Sequence, residues 1–301
     1  MSDSVRCVLD AKASLGESPV WAADAGRLYW VDINAPALHR FDPATGLDES
    51  WPMPTAIGCV ALDADGHAIG ALRDGLYRLD LSGAGQHAKL ADAPYDPAEE
   101  RFNDGRCDAS GRFWIGSMHE PRLPKAALYR YEAPNYESGR YDGGAHFANI
   151  VGGVTVSNGL AFSPDGSILY HADTPTHRVT AYDCDAGSGA LSNPRVFIDL
   201  AASQERPDGA TVDAAGNYWV ALYGSGRVAQ FSPAGERLRD ILLPAKAPTM
   251  PCFGGKDLRT LFITTARQKH TDEELASMPQ AGGLFAIDLP VPGLPEPRFK
   301  G

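Results

Sequence analysis

Apolar and polar residues alternate along this chain in short runs, and the runs come in sets. One set reads Arg27-Leu-Tyr-Trp-Val-Asp, His67-Ala-Ile-Gly-Ala-Leu, Arg112-Phe-Trp-Ile-Gly-Ser, Ile168-Leu-Tyr-His-Ala-Asp, Asn217-Tyr-Trp-Val-Ala-Leu and Thr260-Leu-Phe-Ile-Thr-Thr. A second set follows it: Ala37-Leu-His-Arg-Phe-Asp, Gly75-Leu-Tyr-Arg-Leu-Asp, Ala127-Leu-Tyr-Arg-Tyr-Glu, Arg178-Val-Thr-Ala-Tyr-Asp, Arg227-Val-Ala-Gln-Phe-Ser and Gly283-Leu-Phe-Ala-Ile-Asp. A period of two predicts half-buried antiparallel strands. Before each first run comes a turn, ending at Gly26, Gly66, Gly111, Gly166 and Gly216; a sixth, Lys256-Asp257, lacks the glycine. Asp and Gly accept the positive φ that tight hairpins need.

The turns recur 40 to 55 residues apart. Six such meanders predict an all-β, six-bladed β-propeller filling residues 1–301 as a single domain. The competing folds fit less well: a β-sandwich rarely repeats one pattern six times, and solenoid rungs are shorter. Val5-Arg-Cys-Val-Leu has no partner in its own blade. It is expected to pair with the last blade and close the ring, which removes two free edges.

Four polar residues share one register ahead of these turns. Glu17 precedes its glycine by nine residues, and Asn103, Asn158 and Asp208 precede theirs by eight. Equivalent positions on the first strands of a propeller converge near the axis at one mouth. Four oxygen-bearing side chains there suggest a hard-cation site or a catalytic pocket. The matching position in the second blade, Ile57, is apolar and is expected to wall that pocket. Taken singly, Asn-Gly and Asp-Gly are ordinary turn dipeptides, a lone Glu17 is ordinarily a solvated carboxylate, and Arg101 can pair with Glu99 or Glu100.

Composition narrows the function. A net charge of −11 argues against nucleic-acid binding, which needs a basic face. No apolar run approaches the 18 or so residues of a membrane span, and Met1-Ser-Asp-Ser has no signal-peptide character. Cys7, Cys59, Cys107, Cys184 and Cys252 are scattered and odd in number, which fits neither zinc nor a disulfide framework. A reducing cytoplasm and a monomer are expected. The aromatics Trp30, Trp114, Tyr170, Trp219 and Phe262 recur at one register and read as packing between blades. Thr271-Asp-Glu-Glu predicts one short helix over 271–278 with a capping box, in a loop that can cover the pocket mouth. His171 and His177 read as packed or surface residues, and His119 as a minor pocket candidate. Gly-x-Ser-x-Gly motifs are absent, and Gly224-Ser-Gly is a hairpin turn.

Four segments in order carry a resemblance. Leu15-Gly-Glu-Ser-Pro-Val-Trp, Arg101-Phe-Asn-Asp-Gly-Arg-Cys-Asp, Val156-Ser-Asn-Gly-Leu-Ala-Phe-Ser-Pro-Asp-Gly and Arg206-Pro-Asp-Gly-Ala-Thr-Val-Asp resemble the motifs of the senescence-marker-protein/gluconolactonase family. That family includes regucalcin and bacterial sugar lactonases. Met250-Pro-Cys-Phe-Gly-Gly and Ile263-Thr-Thr-Ala-Arg are similar to its bacterial sugar-lactonase branch. The resemblance implies a hydrolase that opens sugar-acid lactones with one divalent metal. It implies Glu17, Asn158 and Asp208 as metal ligands, Asp208 also as catalytic residue, and Arg101 and Asn103 as substrate contacts. Asp104 and Glu120 are further candidates, as substrate contacts or behind the first ligands. His119-Glu-Pro-Arg-Leu-Pro departs from the family pattern around Glu120, which touches the pocket lid and sugar preference.

Such residues suit the chemistry. A lactone is an activated ester whose carbonyl needs polarising and whose attacking water needs a proton acceptor. A divalent ion is a Lewis acid and can also acidify water, and Asp208 can serve as base. All-oxygen ligation favours Ca²⁺, Mg²⁺ or Mn²⁺ and leaves Zn²⁺ or Fe²⁺ open. Arg101 can donate a planar fork to hydroxyls and to developing negative charge. Two other readings use the same carboxylates or fold: a calcium-binding regulatory protein and a paraoxonase-like esterase. A binding scaffold without chemistry is a third. The pair Arg101 and Asn103 favours an enzyme, because a metal buffer needs no substrate clamp.

Overall fold

A computed structural model describes residues 4–83, 85–132 and 146–301. They form six four-stranded antiparallel sheets. Five sheets run in chain order. The sixth is ordered Arg6–Leu9, Leu284–Asp288, Thr260–Thr265, Pro248–Gly254, so the N-terminal strand closes the ring as expected. Arg6 pairs with Ala286 and Cys7 with Phe285, and Arg6 also forms a 3.1 Å ion pair with Asp288.

Each sheet is a propeller blade. The innermost strands are Gly16–Ala22, Ile57–Leu62, Glu100–Cys107, Ser157–Phe162, Arg206–Val212 and Pro248–Gly254. They are buried almost throughout, because neighbouring blades cover both faces. The outermost strands Asp48–Pro52, Leu191–Asp199 and Arg237–Leu242 are largely exposed. Exposure over most of their length leaves little of the apolar half of the alternation, so the pattern that reveals the middle strands is faint here.

The predicted packing aromatics are where the register puts them. Trp30, Trp114, Tyr170, Trp219 and Phe262 are each at most 2% exposed. Trp219 meets Phe253 of the next blade edge-on at 6.1 Å. Buried indoles need an acceptor: Trp114 and Trp219 each donate at 2.9 Å, to Asp108 and Asp213. Those aspartates sit in the hairpin turns and also accept turn N–H groups.

The sixth turn, as expected, lacks the glycine at the shared position: Leu258 stands there at φ 57°, its N–H donating to Gly255 O. Several local readings change. Ile57 is fully buried in the core with Val31, Leu38 and Leu72 and does not wall the pocket. A Cβ at the next residue, Gly58, would lie 2.4 Å from the Phe102 backbone, so only glycine lets the second blade approach the third there. The helix is Asp272–Ser277, with Thr271 and Glu274 in the reciprocal capping box. The helix does not line the pocket; Gln268 and Lys269 just before it do. Among the described residues no helix is long and apolar enough to cross a membrane.

The chain after the last strand crosses the far mouth of the channel. Phe299 N donates to Leu62 O, and Gly293 N donates to Leu258 O. Glu296 reaches in to pair with Arg106, which also donates to the carbonyls of Leu160 and Ala210. The channel is therefore stoppered at one end and open at the other.

Candidate metal centre and active site

All six inner strands slip register at the same place against their neighbour. The slips fall between Glu17 and Val20, Ile57 and Cys59, Phe102 and Gly105, Asn158 and Ala161, Pro207 and Ala210, and Pro248 and Pro251. A β-bulge turns a side chain out of the regular alternation. Glu17 and Asn158 open their bulges, while Asn103 and Asp208 lie inside theirs. Ser18 at φ 47° and Gly159 at φ 63° carry the left-handed backbone this needs. Six equal bulges swing the four side chains to one end of the channel.

There they line one pocket, about 90 Å³ in volume, with Arg101. Glu17, Asn103, Asn158 and Asp208 are only 4 to 7% exposed. Asn103 Nδ2 donates to Asn158 Oδ1 at 2.8 Å and to Ser157 O at 2.9 Å. Asn158 Nδ2 donates to Thr174 Oγ1 at 2.8 Å, and Thr174 donates in turn to Pro207 O, beside Asp208. Arg101 does not pair with Glu99 or Glu100. Its guanidinium is buried and donates to Asn103 Oδ1 at 2.7 Å and to Phe102 O at 2.8 Å.

The electrostatics are those of acids in want of a cation. Burial, then Asp208 and Asp104, push Glu17 well above the usual carboxylate range. Burial and Asp104 push Asp208 up to about 8, with Arg101 and Arg206 opposing. Neither carboxylate forms an ion pair of hydrogen-bonding quality among the described residues, and Glu17 accepts one bond, a 3.3 Å contact from Ser18 N. Two buried carboxylates and an amide oxygen make an all-oxygen donor set, which fits a hard divalent cation. Asn158 Oδ1 has a second lone pair beyond the one Asn103 uses. Burial also lowers Arg101, to about 10, so it stays protonated at neutral pH.

Two expected contacts stand apart from this pocket. Asp104 points down the channel: Oδ2 accepts from Leu160 N at 2.9 Å, and Oδ1 has no hydrogen-bond partner. Glu120 is exposed and holds Arg73 through contacts of 2.8 and 3.1 Å. His119 is also outside the pocket, buried against Leu123 N and Glu99. His171 is buried behind the site, where Nε2 meets Ser157 Oγ at 2.8 Å.

The pocket wall further includes Arg122, Thr174, Arg206, Tyr223, Gln268 and Lys269, which the sequence reading did not single out. Only Arg206 had a signal, two residues before Asp208 in a quoted motif. Arg122, Gln268 and Lys269 come from loops, where strand periodicity carries no information, while Thr174 opens a 3-10 turn and Tyr223 ends the strand Tyr218–Tyr223.

The model for the SMP-30/gluconolactonase/LRE-like region matches residues 15–267. The chain belongs to this family. Within the SMP-30/gluconolactonase group it is 43% identical to the 6-deoxy-6-sulfogluconolactonase of Pseudomonas putida, with all of both chains covered. It is 35% identical to human regucalcin over 100% of this chain and 99% of the relative. A crystal structure of regucalcin from Agrobacterium tumefaciens, described as a calcium-binding protein, superposes with a TM-score of 0.91. That pair is 28% identical and covers 99% of this chain and 98% of the other.

Proposed function

We propose that the protein is a metal-dependent hydrolase that opens the ring of a sugar-acid lactone to the free aldonic acid. The observation that carries this is the buried set Glu17, Asn158 and Asp208 with Arg101 and Asn103 bonded into it. Relatives named for lactonase activity, matched end to end, support the same reading. Glu17, Asn158 and Asp208 would hold one divalent ion, which when bound supplies Lewis-acid polarisation of the lactone carbonyl.

The chain's own residues do the rest. Arg101, bonded to Asn103, presents its remaining N–H donors to ring oxygens and to charge developing on the carbonyl oxygen. Asn103 holds the Asn158 amide in place and is itself held by Arg101. Asp208, ionised once a cation has displaced its proton, accepts the proton of the attacking water at a carboxylate oxygen. The stoppered channel keeps bulk water from entering behind the substrate. Among the described residues no serine or cysteine lines the pocket, so water attacks directly and no acyl-enzyme forms. A clamp of this kind is surplus to a protein that only buffers calcium, which favours the enzyme over that reading.

The test is a panel of aldonolactones followed by pH indicator, before metal removal, after it, and after reloading with Ca²⁺, Mg²⁺, Mn²⁺, Zn²⁺ or Fe²⁺. Ring opening that chelation abolishes and one ion restores is the expected result. Activity indifferent to chelation would overturn the metal, and no activity on any lactone would overturn the reaction.

A further inference from the structure

The pocket wall has more positive charge than lactone chemistry requires. It includes two acids, Glu17 and Asp208, and four cations, Arg101, Arg122, Arg206 and Lys269. A divalent ion would balance the two acids, and the one further carboxylate that acts on Arg101 and Arg122, Glu120, is itself bonded to Arg73. The chain as a whole is acidic, at −11, so a local surplus of this size is not a reflection of composition. A neutral sugar lactone offers hydroxyls and ring oxygens, and Arg101 already suffices to address those.

The other three cations have no acidic partner in direct contact. Among the described residues most arginines and lysines sit in ion pairs; Arg73, for example, is taken by Glu120 and Arg237 by Glu205. The side chains of Arg122, Arg206 and Lys269 form no ion pair and no hydrogen bond there. They reach the mouth from three loops or strand ends, after Phe113–His119, at the start of Arg206–Val212 and before the helix Asp272–Ser277. Arg122 and Lys269 both sit in left-handed backbone, each at φ 63°, a conformation that non-glycine residues adopt rarely and mostly where the surroundings impose it. Arg206 lies over the Tyr223 ring, 5.1 Å from its centre, which fixes the guanidinium plane and leaves its N–H edges free. The crowding registers at Lys269: burial, then Arg122, Arg206 and Arg101, lower its affinity for a proton. All three belong to exposed residues at the mouth, and a cleft lined by one sign of charge raises the local concentration of its counter-ion.

We propose, resting on the lactonase reading, that the substrate is a sugar lactone bearing a second, permanently anionic group away from the ring carbonyl, bound by Arg122, Arg206 and Lys269. Sulfonate, phosphate and carboxylate share the relevant chemistry: several oxygens, delocalised negative charge, and a fit to guanidinium forks. The anion would draw the substrate into an otherwise small pocket and set the ring against Arg101 and Asn103.

The experiment compares kcat/KM of metal-loaded protein for gluconolactone and for its counterparts with a sulfonate, a phosphate or a carboxylate at carbon 6. At least one anionic lactone should exceed the neutral one by about tenfold or more, and added salt should erode the preference; the best of the three identifies the anion. In Arg122→Ala, Arg206→Ala and Lys269→Ala the anionic-to-neutral ratio should fall several-fold each. A second readout needs no turnover: by calorimetry, metal-free protein should bind gluconate with a 6-phosphate or 6-sulfonate at least about tenfold more tightly than gluconate itself. If neutral gluconolactone is opened as well as all three anionic lactones and the open-chain acids bind alike, this inference fails while the lactonase reading stands. If no lactone of either kind is opened, the lactonase reading fails first. A salt-insensitive preference that survives the three substitutions would place the anion elsewhere and overturn the assignment to these residues.

Discussion

Asn103 Nδ2 donates to Asn158 Oδ1 across 2.8 Å, joining the third blade to the fourth at the mouth of the channel. Through this bond a substrate-side residue orients an amide proposed to ligate the metal. Partners of this type commonly alter metal affinity by 10- to 100-fold when removed. Asn103→Ala should therefore weaken both lactone turnover and ion binding, the latter roughly tenfold. Calorimetric titration with Ca²⁺ beside steady-state kinetics would check it. A loss of turnover with ion affinity untouched would confine Asn103 to the substrate side.

Arg101 should separate from the metal. Arg101→Ala removes charged hydrogen bonds inside the pocket, each worth about 1.5 to 3 kcal/mol. The drop in kcat/KM should be on the order of tenfold to a hundredfold, with metal content by elemental analysis unchanged. Unaltered kinetics on every accepted lactone would leave the guanidinium with a purely structural role.

Asp208 has two proposed duties, and two substitutions divide them. Asp208→Ala should lose ion and activity together. Asp208→Asn keeps an oxygen donor but cannot take a proton, so at saturating metal its rate should fall roughly 10²- to 10⁴-fold, the usual worth of a positioned base. Mass spectrometry of quenched enzyme should find no covalent adduct in either form. A metal-loaded Asp208→Asn protein working at the wild-type rate would remove the base assignment.

Ion binding should depend on pH in a definite direction. In the metal-free fold Asp208 is pushed up to about 8, so near neutral pH it holds a proton that the cation must displace. Apparent affinity should climb as pH rises from 6 to about 8 and flatten above, and binding at pH 7 should release protons. Titrations in buffers of different ionisation enthalpy count them. Affinity constant over that range would mean that Asp208 is already ionised or not a ligand.

His171 gives a separate pH signature, in stability. Burial lowers its pKa to about 4, below the ordinary 6.5. A depressed base is neutral in the fold when the unfolded chain already binds a proton. The stability it permits is thus fully present above about 6.5 and is lost as pH falls towards 4. The total is roughly 3 kcal/mol at 1.36 kcal/mol per unit. Urea unfolding at pH 7 and 4.5 should show a smaller acid loss in His171→Asn than in the parent.

Much of the architecture is legible before any coordinates. The repeated strand–turn–strand pattern predicts six blades, because each blade must bury the same alternation against its neighbours. The aromatic register of Trp114 and Trp219 predicts their contacts, and Thr271-Asp-Glu-Glu predicts its helix from local capping alone. The outer strands are less legible: Leu191–Asp199 and Arg237–Leu242 are exposed over most of their length, each burying a single residue, Ile198 or Ile241, and lose the alternation. The register of Glu17, Asn103, Asn158 and Asp208 points to one place, but it cannot tell which neighbours share it. Asp104 and Glu120 lie beside pocket residues in the chain, yet one faces down the channel and the other binds Arg73.

Sequence by itself determined the repeat, the ring closure by the N-terminal strand and the four side chains that meet, since each follows from periodicity or from one residue at a fixed offset. Tertiary structure alone decided how they meet. The six bulges depend on pairing between strands, and a slip of one residue changes which face a side chain takes. Loop placement is decided the same way. Arg122 and Lys269 are far apart in sequence and carry no shared pattern. Only the closed ring sets their loops beside Arg206 at one mouth.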